Sequence, residues 1–459
     1  MNEKIPPLGL KLAYALPAFA LAVAGIPIYI YIPKFYTDTV GLDMAAAGII
    51  VLGLRLFDAV TDPIMGLLSD HTTFRSGRRR PYILTGSILL GTALLFLFNP
   101  PIPTPVSPAA WFSVWMGAVF LFWTVTTVPY ESMGPEITFD YHQRTVLFGI
   151  RDGFLIAGTL TAAAVPVFIR RMLLGSGLSD DDPAVFLIMS LLYAPLVVIC
   201  CLICIRRVRE RAKSASPHPV HFLLGIQAAF KNRPFLILMA AFCLSAAASQ
   251  LPAALLLYYV EYVLHSAHAE WYLVIYLGAG VLFLPGWVAL SRRIGKKGAW
   301  ILSMIVNTAA FFFVYRLGPG DAAIYGVLVG LSGIGFGAGL ALPSALTADV
   351  IDYDQTLTGQ RREGQYIGIF SVVKKAAGAF GAGIGLFLLG VTGYSPNTVQ
   401  SAAVVDMLRL LYALVPCFLS IAAIGVAAFY PMGPSEHEQV LAAIRDMETE
   451  AANPEAAKE

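Results

Sequence analysis

Apolar runs long enough to cross a membrane recur along most of this chain, and nothing else in it restricts the fold as tightly. A helix needs about 20 apolar residues to span a bilayer's hydrocarbon, and about twelve such runs are present, centred near Ala22, Leu54, Leu90, Phe120, Thr159, Val197, Leu251, Tyr276, Ala309, Leu331, Gly381 and Ile421. Backbone amides in lipid must be satisfied within their own segment, so runs of this length fold as helices. With 57% of 459 residues apolar and only 13% charged, the fold class is an all-α membrane protein of about twelve transmembrane helices. None of the runs has the short core and small-residue cleavage site of a secretory leader.

Lys and Arg residues are retained in cytoplasmic loops. Here they follow the second, sixth, eighth and tenth runs: Arg75, Arg78, Arg79 and Arg80; Arg206, Arg207, Arg209, Arg211 and Lys213; Arg292, Arg293, Lys296 and Lys297; Arg361 and Arg362. The intervening connections carry almost none, with Arg170 and Arg171 as the exception. The expectation is a multi-pass protein of the cell's inner (plasma) membrane with both termini cytoplasmic. The net charge of +2 then reports topology, and it gives no reason to expect nucleic acid.

The longest polar segment between runs divides the chain into an N-terminal six-helix bundle (1–205), a cytoplasmic linker (206–233), a C-terminal six-helix bundle (234–432) and an acidic cytoplasmic tail (433–459). A repeat supports the division. Ser69-Asp70 through Arg75, Gly77-Arg78-Arg79-Arg80 and Pro81-Tyr82-Ile83-Leu84 returns, shortened, as Ser291-Arg292-Arg293-Ile294-Gly295-Lys296-Lys297-Gly298 and Ala299-Trp300-Ile301-Leu302, after the second span of each half. Two parallel halves about an axis along the membrane normal is the architecture of major facilitator transporters, with the solute site at the midplane. The glycines at 333, 335, 337 and 339 and at 378, 381, 383 and 385 fit close helix approach better than a phosphate loop. Cys200, Cys201, Cys204, Cys243 and Cys417 all fall in apolar runs and suit packing. No H-E-x-x-H, G-x-S-x-G or P-loop argues for an enzyme.

One apolar run contains Arg55-Leu-Phe-Asp58-Ala-Val-Thr61-Asp62-Pro63. Asp58 and Asp62 lie one turn apart on one helix face. Their repulsion, if both are ionised at 5 to 6 Å, is about 3 kcal/mol at an effective dielectric near 20. Such a pair requires a proton, a metal cation or a nearby base. Pro63 cannot donate to the carbonyl of Ala59, which frees a backbone oxygen at the same turn. The competing reading has the two acids pairing with Arg55 or Lys375 only to pin helices together.

Over most of its length the chain resembles the glycoside/pentoside/hexuronide:cation symporters, the melibiose permease-like family of the major facilitator superfamily. The resemblance rests on Phe35-Tyr36-Thr37-Asp38 with Val40-Gly41, on Arg55 through Asp62-Pro63-Ile-Met-Gly66, on Arg75 with Gly77-Arg78-Arg79-Arg80-Pro81, on Val128-Pro129-Tyr130, on Ala348-Asp349-Val-Ile-Asp352-Tyr353, and on Arg362 leading to Lys375. It implies that Asp58 and Asp62 bind the coupling cation, with Thr61 and Thr124 completing its oxygen shell. Sodium takes several hard oxygen ligands, whereas a proton needs one carboxylate. The resemblance further implies that Lys375 neutralises the acids when the cation leaves, that Arg151 caps the site, and that Arg55, Asp70, Arg78, Arg79, Arg80, Asp349, Asp352 and Arg362 serve gating. Lys374 reads as a snorkelling neighbour of Lys375.

At the solute site the chain departs from that family. Ala22 and Thr127 stand where the galactoside carriers place aspartates, and Glu131 and Leu340 where they place aromatic residues. Glu131 is then the expected solute contact, with Tyr29, Thr127, Tyr130 and Gln250 around it. The expected function is uptake of a small solute, probed first as a sugar or glycoside, coupled to Na+ or H+ by alternating access. An amphipathic solute such as a lysophospholipid, and a non-transporting receptor or scaffold, are the competing readings. No cofactor beyond the coupling cation and no obligate protein partner is expected; the partners are solute, monovalent cation and lipid bilayer.

Overall fold

The computed structural model describes residues 6–72, 77–102, 106–138, 141–170, 182–208, 210, 231–266, 268–358 and 363–452. Among them, eleven helices are long and apolar enough to cross a membrane. In chain order they are α1 (Leu8–Val40), α2 (Met44–His71), α3 (Arg80–Phe98), α4 (Pro108–Ile137), α5 (Tyr141–Phe168), α6 (Pro183–Arg207), α7 (Arg233–Tyr262), α8 (Ala269–Val314), α9 (Ala322–Thr358), α10 (Glu363–Val391) and α11 (Ala402–Ala428). A shorter amphipathic helix, α12 (Pro434–Ala452), follows.

The difference from the twelve expected runs is one of continuity. α8 holds two of them, those near Tyr276 and Ala309, in two arms broken at Gly295, where φ is 79° and ψ 156°. That left-handed backbone is open to glycine and costly for any residue with a Cβ. Gly77, in the matching loop of the first half, also has a positive φ of 113°. The two basic loops therefore share their backbone device as well as their charges.

Helix starts follow local chemistry. Asp43, Ser107, Asp182, Asn232 and Ser401 accept from the free backbone N–H groups of the first turns of α2, α4, α6, α7 and α11. α1 widens into π-helical turns at Pro27–Tyr31 and Tyr36–Val40, and α11 at Leu410–Leu414.

The buried apolar residues form two clusters. The larger joins the first half to the parts of α7, α8, α10 and α11 that lie farthest from the basic loops. The smaller, around Phe235, Trp300, Leu346, Tyr366 and Tyr430, belongs to the second half alone, at the basic-loop end. The halves thus share a core at one end and keep separate cores at the other. At the shared end α2 and α10 meet backbone to backbone: a Cβ on Gly48, Gly383 or Gly390 would run into the facing helix. The tail is ordered as helix: α12 buries Val440 and Ile444 and packs on α9.

Candidate functional site

α2 carries the acid pair to mid-depth, where α4 brings Thr124 and α10 brings Lys375. Asp58 is 6% exposed and Thr124 1%. Thr124 Oγ1 lies 2.9 Å from Asp58 Oδ1 and 2.8 Å from Asp62 Oδ1. Lys375 Nζ lies 2.9 Å from Asp58 Oδ2 and 2.5 Å from Asp62 Oδ2. Four groups therefore close a ring in which each carboxylate is held by one oxygen to Thr124 and by the other to Lys375. A hydroxyl has one proton and donates to one carboxylate at a time, so the ring needs the ammonium, a proton or a bound cation to offset the second carboxylate. Two buried acids with one base leave one negative charge to neutralise, at a cost that an unpaired buried charge does not normally survive.

Thr61, expected in the cation's oxygen shell, donates its hydroxyl to the backbone oxygen of Asp58 at 3.0 Å. Arg55, expected among the gating residues, places its guanidinium 4.2 Å above the Tyr29 ring, with Nε buried and unbonded. A side chain at Gly378 would strike it. Tyr29 in turn stacks on Phe120.

Two turns beyond Thr124, about 10 Å toward the basic-loop end, α4 presents Glu131. It is exposed, as is Lys374 on α10, although both sit in membrane-spanning helices. Glu131 interacts electrostatically with Arg151, Asp62, Lys374 and Lys375. Glu131 of the first half and Lys374 of the second are thus exposed charges within spanning helices. Arg151 is spent on Asp152 through Nε and Nη2, at 2.9 and 2.7 Å, and lies over Phe148. Gln250 of α7 packs against Gly378 and Gly381, and Thr127 donates to the carbonyl of Trp123. Tyr130, expected as a solute contact, is 2% exposed, donates to the carbonyl of Tyr14 at 2.8 Å, and packs in the core of the first half.

Several of the expected gating residues bond within their own halves. Glu210, just after α6, accepts the backbone N–H groups of Arg78, Arg79 and Arg80 at 2.7, 3.0 and 2.6 Å. Arg79 also donates to Ser132 and Arg80 to Val208, so the loop is tied to its own half. Asp349 takes Lys296 at 2.5 Å, and His437 of α12 lies 3.4 and 3.3 Å from Asp349 and Asp352. The side chain of Asp70 and all of Arg75 and Arg362 lie outside the described residues, as does the side chain of Leu340.

A group of bonds between the halves lies beyond the acid pair, at the end away from the basic loops. There Lys34 joins Asp38 at 2.8 Å and Glu261 at 2.7 Å. Asp38 also accepts from Tyr394 at 2.8 Å and, through its backbone oxygen, from Asn397 at 2.7 Å, while Thr37 meets Tyr258 at 3.0 Å. Arg170, the exception in the loop-charge pattern, pairs across the halves with buried Glu270. Of this polar lock, the sequence reading had singled out only Thr37 and Asp38, as motif letters, and Arg170, as an anomaly. Its partners on the second half lie more than 200 residues away from Thr37 and Asp38, and no local pattern connects them.

Comparison with known proteins gives a family model, described as MFS/sugar transport protein, that matches residues 13–433. The glucuronide carrier protein homolog of Escherichia coli (strain K12) is 27% identical over 438 residues, covering 93% of this chain and 92% of that protein. The isoprimeverose transporter of Lactiplantibacillus pentosus is 26% identical over 428 residues, covering 91% and 87%. Among solved structures, the nucleoside transporter NupG superposes with a TM-score of 0.65 at 17% identity, over 93% of this chain and 99% of that one.

Proposed function

The chain belongs to the MFS/sugar transport protein family, and on that premise we propose that it is a secondary active symporter, coupling inflow of a monovalent cation, Na+ or H+, to uptake of a sugar-like solute by alternating access. The observation that carries the coupling is the ring of Asp58, Asp62, Thr124 and Lys375, which spans both halves. The ammonium occupies the carboxylate oxygens that a cation would take. Cation arrival displaces it, and cation departure lets it return, so the empty carrier does not reorient with two unpaired buried carboxylates. Asp58 and Asp62 are the cation's ligands in this reading, with Thr124 and the backbone oxygen freed by Pro63 as further donors. The basic-loop end is the cytoplasmic one, and the molecule is closed on the outside by the lock at Asp38. Uptake at the plasma membrane of a cell with both termini inside follows from that orientation.

The solute is placed at Glu131, next to the coupling ring. Sugars bind through paired hydroxyls, for which Glu131 and Gln250 supply hydrogen-bonding partners. A thermal-shift panel of sugars, sugar acids and lysolipids on the purified protein, with and without Na+ and across pH, tests this. Stabilisation by a sugar that grows with the cation supports it. Stabilisation by lysolipids alone, or none that depends on a cation, contradicts it.

A further inference from the structure

The second half contains a cavity that the coupling ring does not use. It holds about 650 Å³ of empty space, its mouth included, within the range of small-molecule sites. On α7 its wall is Ala248, Ser249, Pro252, Ala253 and Leu256. α10, which carries Lys375, packs on the opposite face of that helix, where Gly378, Gly381 and Gly385 meet Ala247, Gln250 and Leu251. Four rings line the cavity: Tyr272, Tyr276 and Phe311 from the two arms of α8, and Tyr412 from α11. Among the described residues that line it, none is charged. Its polar groups have bonding capacity to spare. Thr308 Oγ1 is buried without a hydrogen-bond partner. Asn307 Oδ1 accepts from Ser332 Oγ at 2.8 Å, which leaves the amide N–H groups of Asn307 to donate. Pro252 has no N–H to offer the carbonyl of Ala248.

We infer that this cavity is a second ligand site, separate from the solute site, for an uncharged aromatic compound bearing a hydroxyl group, that is, a phenol. Ring-lined walls suit a flat aromatic body. A charged ligand would go unpaired there at membrane depth. A hydroxyl accepts from Thr308 or Asn307 and donates to the carbonyl of Ala248, whereas a lipid acyl chain would leave all three unmatched. The site also lies beside the outer lock. Ile30 of α1 lines it, one turn before Lys34, and Leu256 lies within two turns of Tyr258, Glu261 and Tyr262. Those are the residues that join across the halves, Tyr258 to Thr37, Glu261 to Lys34 and Tyr262 to Asp38. The occupant therefore touches α1 and α7 where they stand together with the lock closed. For its consequence the site rests on the symporter reading: the phenol binds the outward-closed carrier in preference, and it slows transport without competing with solute or cation.

The probe is 2-naphthol, neutral in buffer near pH 7, with 2-methylnaphthalene as its counterpart without the hydroxyl and 2-naphthoate as its charged one. Naphthol fluorescence reads binding to the full-length protein in lipid nanodiscs, protein-free nanodiscs correct for partition into lipid, and the other two compounds are added as competitors. The expected result is saturable binding of 2-naphthol, roughly tenfold tighter than that of 2-methylnaphthalene, with no displacement by 2-naphthoate. Thr308→Val, which keeps the shape and removes the hydroxyl, abolishes the preference for naphthol, and Thr308→Ser retains it. Ala253→Phe, whose ring fills the cavity, abolishes binding in protein shown by its melting curve to be folded. No saturable binding beyond lipid partition, 2-methylnaphthalene bound as tightly as 2-naphthol, or a preference unchanged in Thr308→Val overturns the site. In vesicles, 2-naphthol lowers the maximal rate of cation-coupled uptake of a sugar found to stabilise the protein, at an unchanged half-saturating sugar concentration. A raised half-saturating concentration at an unchanged maximal rate contradicts a separate site. The symporter reading fails on a different result, namely sugar uptake indifferent to the cation and to Asp58→Asn while naphthol binds as described.

Discussion

Replacing Lys375 with Met removes the base from the coupling ring while keeping its bulk. Asp58 Oδ1 and Asp62 Oδ1 are each within hydrogen-bond reach of one Thr124 oxygen, at 2.9 and 2.8 Å. They are therefore no more than about 6 Å apart, and at an effective dielectric near 20 their mutual repulsion is about 3 kcal/mol. In the native protein the ammonium absorbs that repulsion, and an incoming cation has to displace it. In Lys375→Met the cation meets two unpaired carboxylates with no competitor. Three kcal/mol corresponds to about a hundredfold in affinity, so cation binding tightens by up to that factor. Net uptake falls at the same time, because the cation-free carrier now has to reorient with two buried, unpaired acids. Exchange of solute across a membrane with saturating cation on both sides persists, since that half of the cycle never empties the site. Titration calorimetry with Na+ at fixed pH, and with pH at fixed Na+, reads the affinity; vesicles read net uptake against exchange. Unchanged or weaker cation binding, or net uptake at the native rate, would refute the competition between ammonium and cation.

Three other perturbations follow from the same geometry. Asp38→Asn weakens the bonds to Lys34 and Tyr394, each hydrogen bond to a charged group being worth about 1.5–3 kcal/mol, so a cysteine at buried Ile30 should become reactive to a polar thiol reagent from outside; unaltered protection counts against the lock. Tyr130→Phe costs about 1 kcal/mol of stability through the lost bond to Tyr14 and leaves solute affinity alone; the reverse pattern in a melting and binding assay returns Tyr130 to the solute site. Glu210→Ala strips three backbone donors of their acceptor and lowers the melting temperature of the protein, whereas a merely surface glutamate would leave it unmoved.

The helices and the spacing of the acid pair could be read from the chain because each depends on local pattern: run length, and carboxylates at a spacing of four. The choice of Lys375 over Lys374 came with the family motif and agrees with the geometry. Continuity at Gly295 was not legible, since hydropathy marks two runs and says nothing of a helix bent between them. Nor was the lock legible: Lys34 and Asp38 sit inside an apolar run, and only packing shows that Glu261, Tyr394 and Asn397 meet them. The contacts of Tyr130 and Arg55 could not be read for one reason. Spacing places a residue on a helix, but which neighbour it faces is set by helices far away in sequence, here by Tyr14 for the one and by Tyr29 with Gly378 for the other.

Coupling at the acid pair is tested most directly by measuring cation movement driven by solute. Purified protein in vesicles, with no cation gradient imposed, is given an inward gradient of a sugar that stabilises it in the thermal-shift panel, and internal Na+ and pH are followed together. Native protein is expected to bring one of the two cations in with the solute. Asp58→Asn and Asp62→Asn, verified as folded by their melting curves, are expected to bring in neither. Solute-driven cation inflow at the native rate in either variant, or solute uptake by the native protein with no cation inflow at all, would contradict a cation site built on Asp58 and Asp62.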